Sequence, residues 1–152
     1  MTHQSFSLRP AEPRDAEDIA GLFTQLGHPT DALDVPARLA EVVAAGGSVI
    51  LAVDDRGKAL GLASLARVRV IHAAGAVAYI TGFIITAESR GQGIGRALVA
   101  AAMEWAKRER CVRITVTSAE HRADAHAFYA KCGLPYTGRR FSAVLDAPEG
   151  QS

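Results

Sequence analysis

The residues whose types and spacing are best suited to chemistry form one stretch, RGQGIGRA at positions 90–97, between a predicted strand and a predicted helix. Its glycines allow backbone conformations that a Cβ would forbid, and they let a ligand approach the main chain closely. The first amides of the helix lack partners inside it, and the helix dipole and two arginines add positive charge. We therefore predict a phosphate or pyrophosphate site. Its residues are Arg90, Gly91, Gln92, Gly93, Ile94, Gly95 and Arg96.

The spacing argues against two common phosphate motifs. A P-loop has Lys and then Ser or Thr after its last glycine, whereas Gly95 is followed by Arg96 and Ala97. The dinucleotide fingerprint has a third glycine three residues after the second, where Arg96 stands. An ordinary glycine-rich turn into a helix is the plainer alternative.

Composition indicates an ordinary globular protein. The 152 residues fit one domain, with 49% hydrophobic and 22% charged residues. A net charge of +1 gives no general attraction to nucleic acid or membrane. Cys111 and Cys132 show no metal-ligand spacing, and no apolar stretch has the length of a membrane span or leader. We expect a cytoplasmic protein without a metal, nucleic-acid partner or membrane attachment.

Apolar periodicity and turn residues predict helices and strands along the whole chain. Gly82, inside a strand, predicts a bulge or a close backbone approach. The predicted strands are 6–8, 48–53, 59–71, 76–86, 112–116 and 139–145. One helix is predicted to begin near residue 13 and a second to lie before residue 46, and two more span 94–110 and 121–132, the last after a capping box at 117–120. We expect the tail 146–152 to be frayed.

Two motifs resemble the GNAT superfamily of N-acetyltransferases. Arg90, Gly93 and Gly95 match its acetyl-CoA signature, Gln/Arg-x-x-Gly-x-Gly/Ala. The segment AHAFYAKCGL at 125–134 is similar to its Ala-x-x-Phe/Leu-Tyr-x-x-x-Gly-Phe segment, with Leu134 in the usual Phe place. The resemblance implies an α/β (α+β) fold over one domain, 1–152. Its central sheet is mixed and mostly antiparallel, is flanked by helices, and has splayed central strands.

The resemblance also implies acetyl-CoA as cosubstrate and assigns residues to it. The glycine loop would bind the pyrophosphate. Main-chain groups of Phe83, Ile84 and Ile85 would bind the pantetheine arm between the splayed strands. Arg122 stands where the family often has Asn, so it could reach a CoA phosphate but cannot copy an Asn side chain.

Two catalytic roles follow from the same resemblance. Tyr129 would protonate the departing thiolate, and the Ile85 N–H would stabilise the tetrahedral oxyanion. The alternative for Tyr129 is a half-buried aromatic residue whose hydroxyl is hydrogen-bonded.

A general base is harder to find, because Thr81 occupies the strand position where the family often has Glu or Asp. Histidine titrates in a suitable range, but each histidine here is more often a surface or capping residue. We expect an ordered water, held by backbone carbonyls and Thr81, to carry the proton. The side-chain candidates are His28, His72, Glu120, His121 and His126.

Two functions of different class remain open. The first is an N-acetyltransferase that moves an acetyl group to a primary amine of a small molecule or peptide, by direct transfer in a ternary complex. The second is a non-catalytic acyl-CoA-binding sensor, which the missing carboxylate at Thr81 suggests. The Tyr-x-x-x-Gly end of the second motif, followed by residues 136–140, loosely resembles some aminoglycoside acetyltransferases. A strongly acidic cleft would suit a polycationic acceptor, but the acidic residues are scattered along the sequence. A homodimer is compatible with either function.

Overall fold

The computed structural model describes residues 5–117, 123–138 and 140–145. The strands in these residues are β1 (Ser7–Pro10), β2 (Ser48–Val53), β3 (Ala59–Val68), β4 (Ala76–Ile85) and β5 (Cys111–Val116). The α-helices are α1 (Ala16–Gln25), α2 (Val35–Ala44), α3 (Ile94–Arg108) and α4 (Ala123–Lys131). Short 3₁₀ helices span Pro13–Asp15, Ala32–Asp34 and Ala87–Ser89.

The five strands form one sheet in sequence order, β1-β2-β3-β4-β5. The pairs β1–β2, β2–β3 and β3–β4 are antiparallel, whereas the pair β4–β5 is parallel. A parallel pair needs a crossover connection, and α3 supplies it. The mixed, mostly antiparallel sheet predicted from the sequence is confirmed.

Helices cover both faces of the sheet because successive strand residues point to opposite sides. Leu62 packs with Ile19 and Leu22 of α1, while its neighbour Ala63 packs with Leu98 of α3. Further along α3, Trp105 packs on Ile80 of β4 and on Leu65 of β3. One layer is therefore α1 with α2, the sheet is the second, and α3 lies on the other face.

The first strand, predicted over 6–8 and ended by Arg9 and Pro10, is instead Ser7–Pro10, in which Arg9 and Pro10 both pair with β2, so the prediction that they lie outside the strand is wrong. Two other predicted strands differ from the structure by more than two residues. The strand predicted over 59–71 ends at Val68, whose pairing with Val77 is followed by the turn of the hairpin, and Ile71 is fully exposed. The strand predicted over 139–145 is wrong for residues 140–145, which form no strand and whose Phe141 and Val144 side chains are exposed. A β-forming composition does not supply a partner strand. Arg139 lies outside the described residues.

Contacts divide the chain into two compact units, Met1–Val116 and Thr117–Ser152. In the second unit, the end of α4 explains the glycine of the motif at 125–134. Gly133 has φ +92°, and the Leu134 N–H donates to the Tyr129 carbonyl over 2.8 Å. This left-handed helix end favours glycine. The tail 146–152 and most of the predicted capping box lie outside the described residues.

Several sequence features have plain structural counterparts in the described part of the chain. Cys111 and Cys132 are free thiols. None of the described residues forms a group of three His, Cys, Asp or Glu side chains suited to a metal ion. The described helices are too short or too polar to span a bilayer.

A buried ion pair joins β1 to the start of the first helical segment. Both guanidinium Nη atoms of Arg9 donate to the Asp15 carboxylate over 2.8 Å, and the Glu12 N–H donates to Asp15 Oδ2 over 2.8 Å. Asp15 is 6% exposed. The hydrogen bond from Arg9 lowers the pKa of Asp15 despite the opposing effect of burial. The ionised carboxylate is thus built into the fold.

Asp15→Asn should lower the free energy of unfolding at pH 7 by about 2 kcal/mol, because it removes hydrogen bonds to a charged group. Since the folded pKa lies below the ordinary value of 3.8, this stabilisation is present above about pH 4 and is lost as pH falls through the folded pKa. Urea unfolding at pH 7 and pH 2 measures the difference, which should shrink at pH 2.

The matched control is Asp34→Asn, since Asp34 pairs with Arg38 over 3.7 Å on the exposed surface. Exposed ion pairs contribute little to the free energy of unfolding, so Asp34→Asn should be nearly as stable as the wild type. Equal stability of Asp15→Asn and the wild type at pH 7 would show that the buried pair does not stabilise the fold.

Candidate active site

The glycine loop connects β4 to α3 through the 3₁₀ helix Ala87–Ser89. Gly91 and Gly93 have φ +80° and +85°, and Gly93 is the N-cap of α3. These left-handed conformations are costly for residues with a Cβ. The predicted conformational need for glycine is confirmed at Gly91 and Gly93. It is wrong for Gly95, which lies in the first turn of α3 and has no positive φ.

The N-terminus of α3 presents three main-chain donors. The Ala97 N–H donates to the Gly93 carbonyl over 3.1 Å, which closes the first turn of the helix. The N–H groups of Ile94, Gly95 and Arg96 precede this bond and therefore have no carbonyl partner within the helix. Gly93 has no side chain with which to cap them. Together with the dipole of a 15-residue helix, these amides suit an anion.

The side chains of the loop have different surroundings. Arg90 and Arg96 are exposed, so both cations are accessible to a ligand. Gln92 Nε2 donates to the Glu88 carbonyl over 3.3 Å, across the loop. Ile94 is 1% exposed and packs in the core beneath α3. Its side chain fixes the start of the helix, and only its main chain can reach a ligand.

The other half of the site is the edge of β4 that faces β5 beyond Ile80; we call this edge, with which no described residue of β5 pairs, the gap beside β4. Ser64 of β3 pairs with Gly82, whereas Leu65 pairs with Ile80, so Thr81 is the extra residue of a β-bulge. On the other side, the pairing of β4 with β5 ends at Ile80 and Val116. From Thr81 onward, no described residue of β5 pairs with β4. The predicted bulge and the predicted separation of the central strands occur at the same place.

The direction of the β4 amides follows from one hydrogen bond. The Thr86 N–H donates to the Leu60 carbonyl over 2.9 Å, toward β3. Since amide directions alternate along a strand, the Ile84 N–H also points to β3, and those of Phe83 and Ile85 point to the gap. The Ile84 side chain is buried against α1 and α2. Of the three predicted strand residues, Phe83 and Ile85 therefore have donors on the correct side.

The bulge also brings together side chains that the sequence did not connect. Thr81 Oγ1 lies 3.1 Å from both the carbonyl oxygen and Oγ of Ser64. A Cβ on Gly82 would lie 3.1 Å from two ring atoms of Phe23, so Gly82 allows α1 to approach. Ser64 was missed because nothing in its local sequence marks it. Its partner is set by the shifted register of β3 and β4.

Two predicted site residues are not part of the described first unit, which holds this loop and gap. Tyr129 is buried in α4 of the second unit, where its ring packs edge-on against Phe128 with centroids 5.5 Å apart. Arg122 lies outside the described residues. Their assigned roles rest on the sequence motif.

Three of the five candidate bases lie in the described part of the chain. His28 and His72 are exposed in the first unit. His126 lies on α4, with its ring centroid 6.2 Å from that of Tyr136. Glu120 and His121 lie outside the described residues. Thr81 itself is exposed on β4.

A cleft of about 500 Å³ lies between α1, the β2–β3 turn and the 3₁₀ helix before the glycine loop. The acidic residues scattered in sequence are partly gathered in space here, because Glu17, Asp18, Asp54 and Glu88 line this cleft with Lys58. Asp18 accepts from the Ala59 N–H over 2.9 Å, and Asp54 accepts from two amides of its own turn. Two of the four carboxylates therefore hold the β2–β3 hairpin.

Comparison with known proteins identifies the class to which this fold and loop belong. Residues 15–134 match the model of the acetyltransferase (GNAT) family. The chain belongs to this family, as the two sequence motifs predicted.

Individual relatives agree with the family. The chain is 33% identical over 138 residues to aminoglycoside N(6')-acetyltransferase type 1 of Stenotrophomonas maltophilia, covering 88% of each protein. It is 27% identical to glucosamine 6-phosphate N-acetyltransferase 1 of Oryza sativa subsp. japonica, covering 86% of this chain and 82% of the relative. Its fold matches aminoglycoside N-acetyltransferase AAC(6')-Iy in complex with CoA, with a TM-score of 0.81 and 18% identity over 96% of this chain and 98% of the other.

Two matched glycine substitutions test the loop. Gly93 and Gly57 have φ +85° and +84°, and a Cβ at either would meet no atom within 4 Å. Alanine at either position should therefore cost a similar free energy of unfolding, about 1 kcal/mol, through backbone strain alone. Gly57 lies in the β2–β3 turn and is not part of the glycine loop.

CoA separates the two variants. At a hundred times its dissociation constant it should stabilise the wild type and Gly57→Ala by about 2.7 kcal/mol, measured by thermal unfolding. CoA should stabilise Gly93→Ala less than the wild type. It should not stabilise Gly95→Asp at all, because the aspartate places a negative charge among the anion-binding amides. Normal CoA stabilisation of a folded Gly95→Asp protein would refute the loop assignment.

Proposed function

We propose that this protein is an acetyl-CoA-dependent N-acetyltransferase that acylates a primary amine by direct transfer in a ternary complex. The observation that carries the proposal is the gap beside β4, where pairing with β5 ends at Ile80 and the strand continues through the glycine loop to the N-terminus of α3. The family and the named activities of the relatives support acetyl transfer to an amine.

The described residues fit acetyl-CoA as cosubstrate. The amides of Ile94, Gly95 and Arg96, with the exposed cations of Arg90 and Arg96, suit its pyrophosphate. Along β4, the N–H groups of Phe83 and Ile85 face the gap and suit the amide carbonyls of its pantetheine arm. When bound, acetyl-CoA supplies a thioester as the acetyl donor.

The reaction changes two atoms. The acceptor nitrogen gains a bond to the acetyl carbon and loses a proton, while the sulfur loses its own bond to the acetyl carbon and gains a proton. The Ile85 N–H, predicted from the sequence as the oxyanion donor, is the gap-facing amide next to the glycine loop. Because it lies four residues, about 13 Å along the strand, from Thr81, we assign it to the pantetheine arm and not to the oxyanion. We assign protonation of the sulfur to Tyr129, on its match to the family motif. Arg122 is proposed as a phosphate contact on the same basis.

The acceptor proposed here is a small-molecule amine. The two named relatives are an aminoglycoside and a glucosamine 6-phosphate N-acetyltransferase, which favours a small acceptor over a peptide. Glu17 and Glu88 line the acidic cleft and, among its four carboxylates, are the two that do not hold the β2–β3 hairpin. This cleft also borders Thr86 and Ser89, at the phosphate-binding end of β4 and not at Thr81, so its charge is not assigned to the acceptor amine.

Turnover tests the proposal against the second function, an acyl-CoA-binding sensor that Thr81 suggests. We expect CoA release from acetyl-CoA to depend on an added amine, and mass spectrometry should find the acetylated amine. The panel is neamine, glucosamine 6-phosphate and a lysine-containing peptide, with acetyl-CoA alone as control. CoA-dependent thermal stabilisation without acetyl transfer to any amine would favour the sensor.

Tyr129→Phe tests the proposed acid. The ring and its packing remain, but the proton donor is lost, so turnover should fall by about a hundredfold or more with little change in CoA affinity. Tyr136→Phe is the matched control, because Tyr136 is an exposed tyrosine of the same unit and should tolerate the change. Unchanged turnover in Tyr129→Phe, with the chemical step shown to limit the rate, would leave Tyr129 as a packing residue.

A further inference from the structure

Two hydroxyl groups occupy the bulge of β4, in contact with each other. Thr81 Oγ1 lies 3.1 Å from Ser64 Oγ and 3.1 Å from the Ser64 carbonyl oxygen. A threonine hydroxyl has a single proton, so it can donate to only one of these oxygens. In either arrangement, lone pairs remain on the two hydroxyl oxygens. The pair can therefore accept a hydrogen bond from an N–H donor.

The position of the pair is fixed by the sheet. Ser64 lies two residues from Leu62, whose side chain packs against α1, so both point to the face covered by α1 and α2. Phe23 of α1 closely approaches Gly82, next to Thr81. Thr81 is exposed and Ser64 is half-buried, so a ligand has access to them. The pair therefore lies where α1, the bulge and the gap beside β4 meet.

The same position lies near the expected site of transfer. An arm held along the Ile85 and Phe83 amides, with its phosphates at the glycine loop, has its far end toward Thr81. Thr81 is two residues from Phe83, about 7 Å along a strand. Thr81 also marks the point where β4 no longer pairs with β5. An acceptor entering over α1 would meet the two hydroxyls first.

We propose that the Ser64 and Thr81 hydroxyls bind the amino group of the acceptor and orient its lone pair. The inference rests on the proposed function and names Ser64 as a positioning residue. One amine N–H donates to a hydroxyl oxygen of the pair, which leaves the nitrogen lone pair directed at the acetyl carbon. A hydroxyl is not a base at neutral pH. It accepts this proton only as it donates its own to solvent water, so the proton released by the nitrogen ends in solvent.

This arrangement differs from a carboxylate at position 81 in one respect. A carboxylate would attract the protonated amine and could remove its proton, whereas the hydroxyl pair is uncharged and binds the neutral amine through hydrogen bonds alone. The contribution of each hydroxyl should be that of a neutral hydrogen bond, a factor of about five in affinity. Since the two hydroxyls act together, removing the second should add little to the loss.

The test uses the full chain, saturated with CoA, and the member of the amine panel with the fastest acetylation by the wild type. Thr81→Val keeps the branched shape without the hydroxyl, and Ser64→Ala removes the other hydroxyl. Each should raise the dissociation constant of that amine about fivefold, measured by calorimetry, and lower kcat/KM for the amine to a similar extent. The CoA dissociation constant should not change.

Rescue and coupling distinguish positioning from a structural role. Thr81→Ser restores a hydroxyl and should bind the amine within about twofold of the wild type, since only a methyl group is lost. The double variant should lose no more than about twofold beyond the larger single loss. Ser7→Ala, on the exposed edge strand β1, is the control and should behave as the wild type.

Each remaining outcome overturns the inference. Unchanged amine affinity in both Thr81→Val and Ser64→Ala would show that the hydroxyls do not touch the acceptor. A parallel loss of CoA affinity, or multiplying losses in the double variant, would show a structural effect on the strand. If the wild type acetylates no amine, the proposed function itself fails and the inference fails with it, a result seen before any variant is measured.

Discussion

The candidate site depends on one constraint, the end of hydrogen bonding between β4 and β5 at Ile80 and Val116. A parallel pair that continued would use this edge of β4 for its own hydrogen bonds and leave no room for a ligand. The bulge at Thr81 changes the twist and direction of β4 where this pairing stops. Main-chain groups that a sheet normally uses internally are thereby turned outward, and the position of the phosphate loop follows at the end of the same strand.

The loop can remain open because its supports are rigid and lie elsewhere. Ile94 and Leu98 anchor the first turns of α3 in the core of the sheet, so the helix N-terminus needs no side-chain cap to hold its place. The left-handed backbone of Gly91 and Gly93 then leaves the first amides of α3 facing outward. On the edge strand β1, the Arg9–Asp15 ion pair holds the strand against the start of the first helical segment.

The sequence predicted what is local and missed what depends on register. Gly93 and Gly82 could be interpreted from single positions, since one needs a positive φ and the other allows close approach. Ser64 could not, because its contact with Thr81 joins residues 17 apart and depends on a one-residue shift within the hairpin. The 140–145 segment shows the opposite failure, since a strand-like pattern was present without a partner strand.

The absence of a carboxylate at position 81 does not by itself argue for a sensor. An acetyltransferase needs a neutral amine, a held thioester and a route for one proton, and a base is only one way to provide that route. Two hydroxyls at an exposed bulge provide a hydrogen-bonded route to solvent without a charged side chain. An uncharged site of this kind selects amines that are already neutral, so the pKa of the acceptor, and no side chain of the enzyme, should govern activity at low pH.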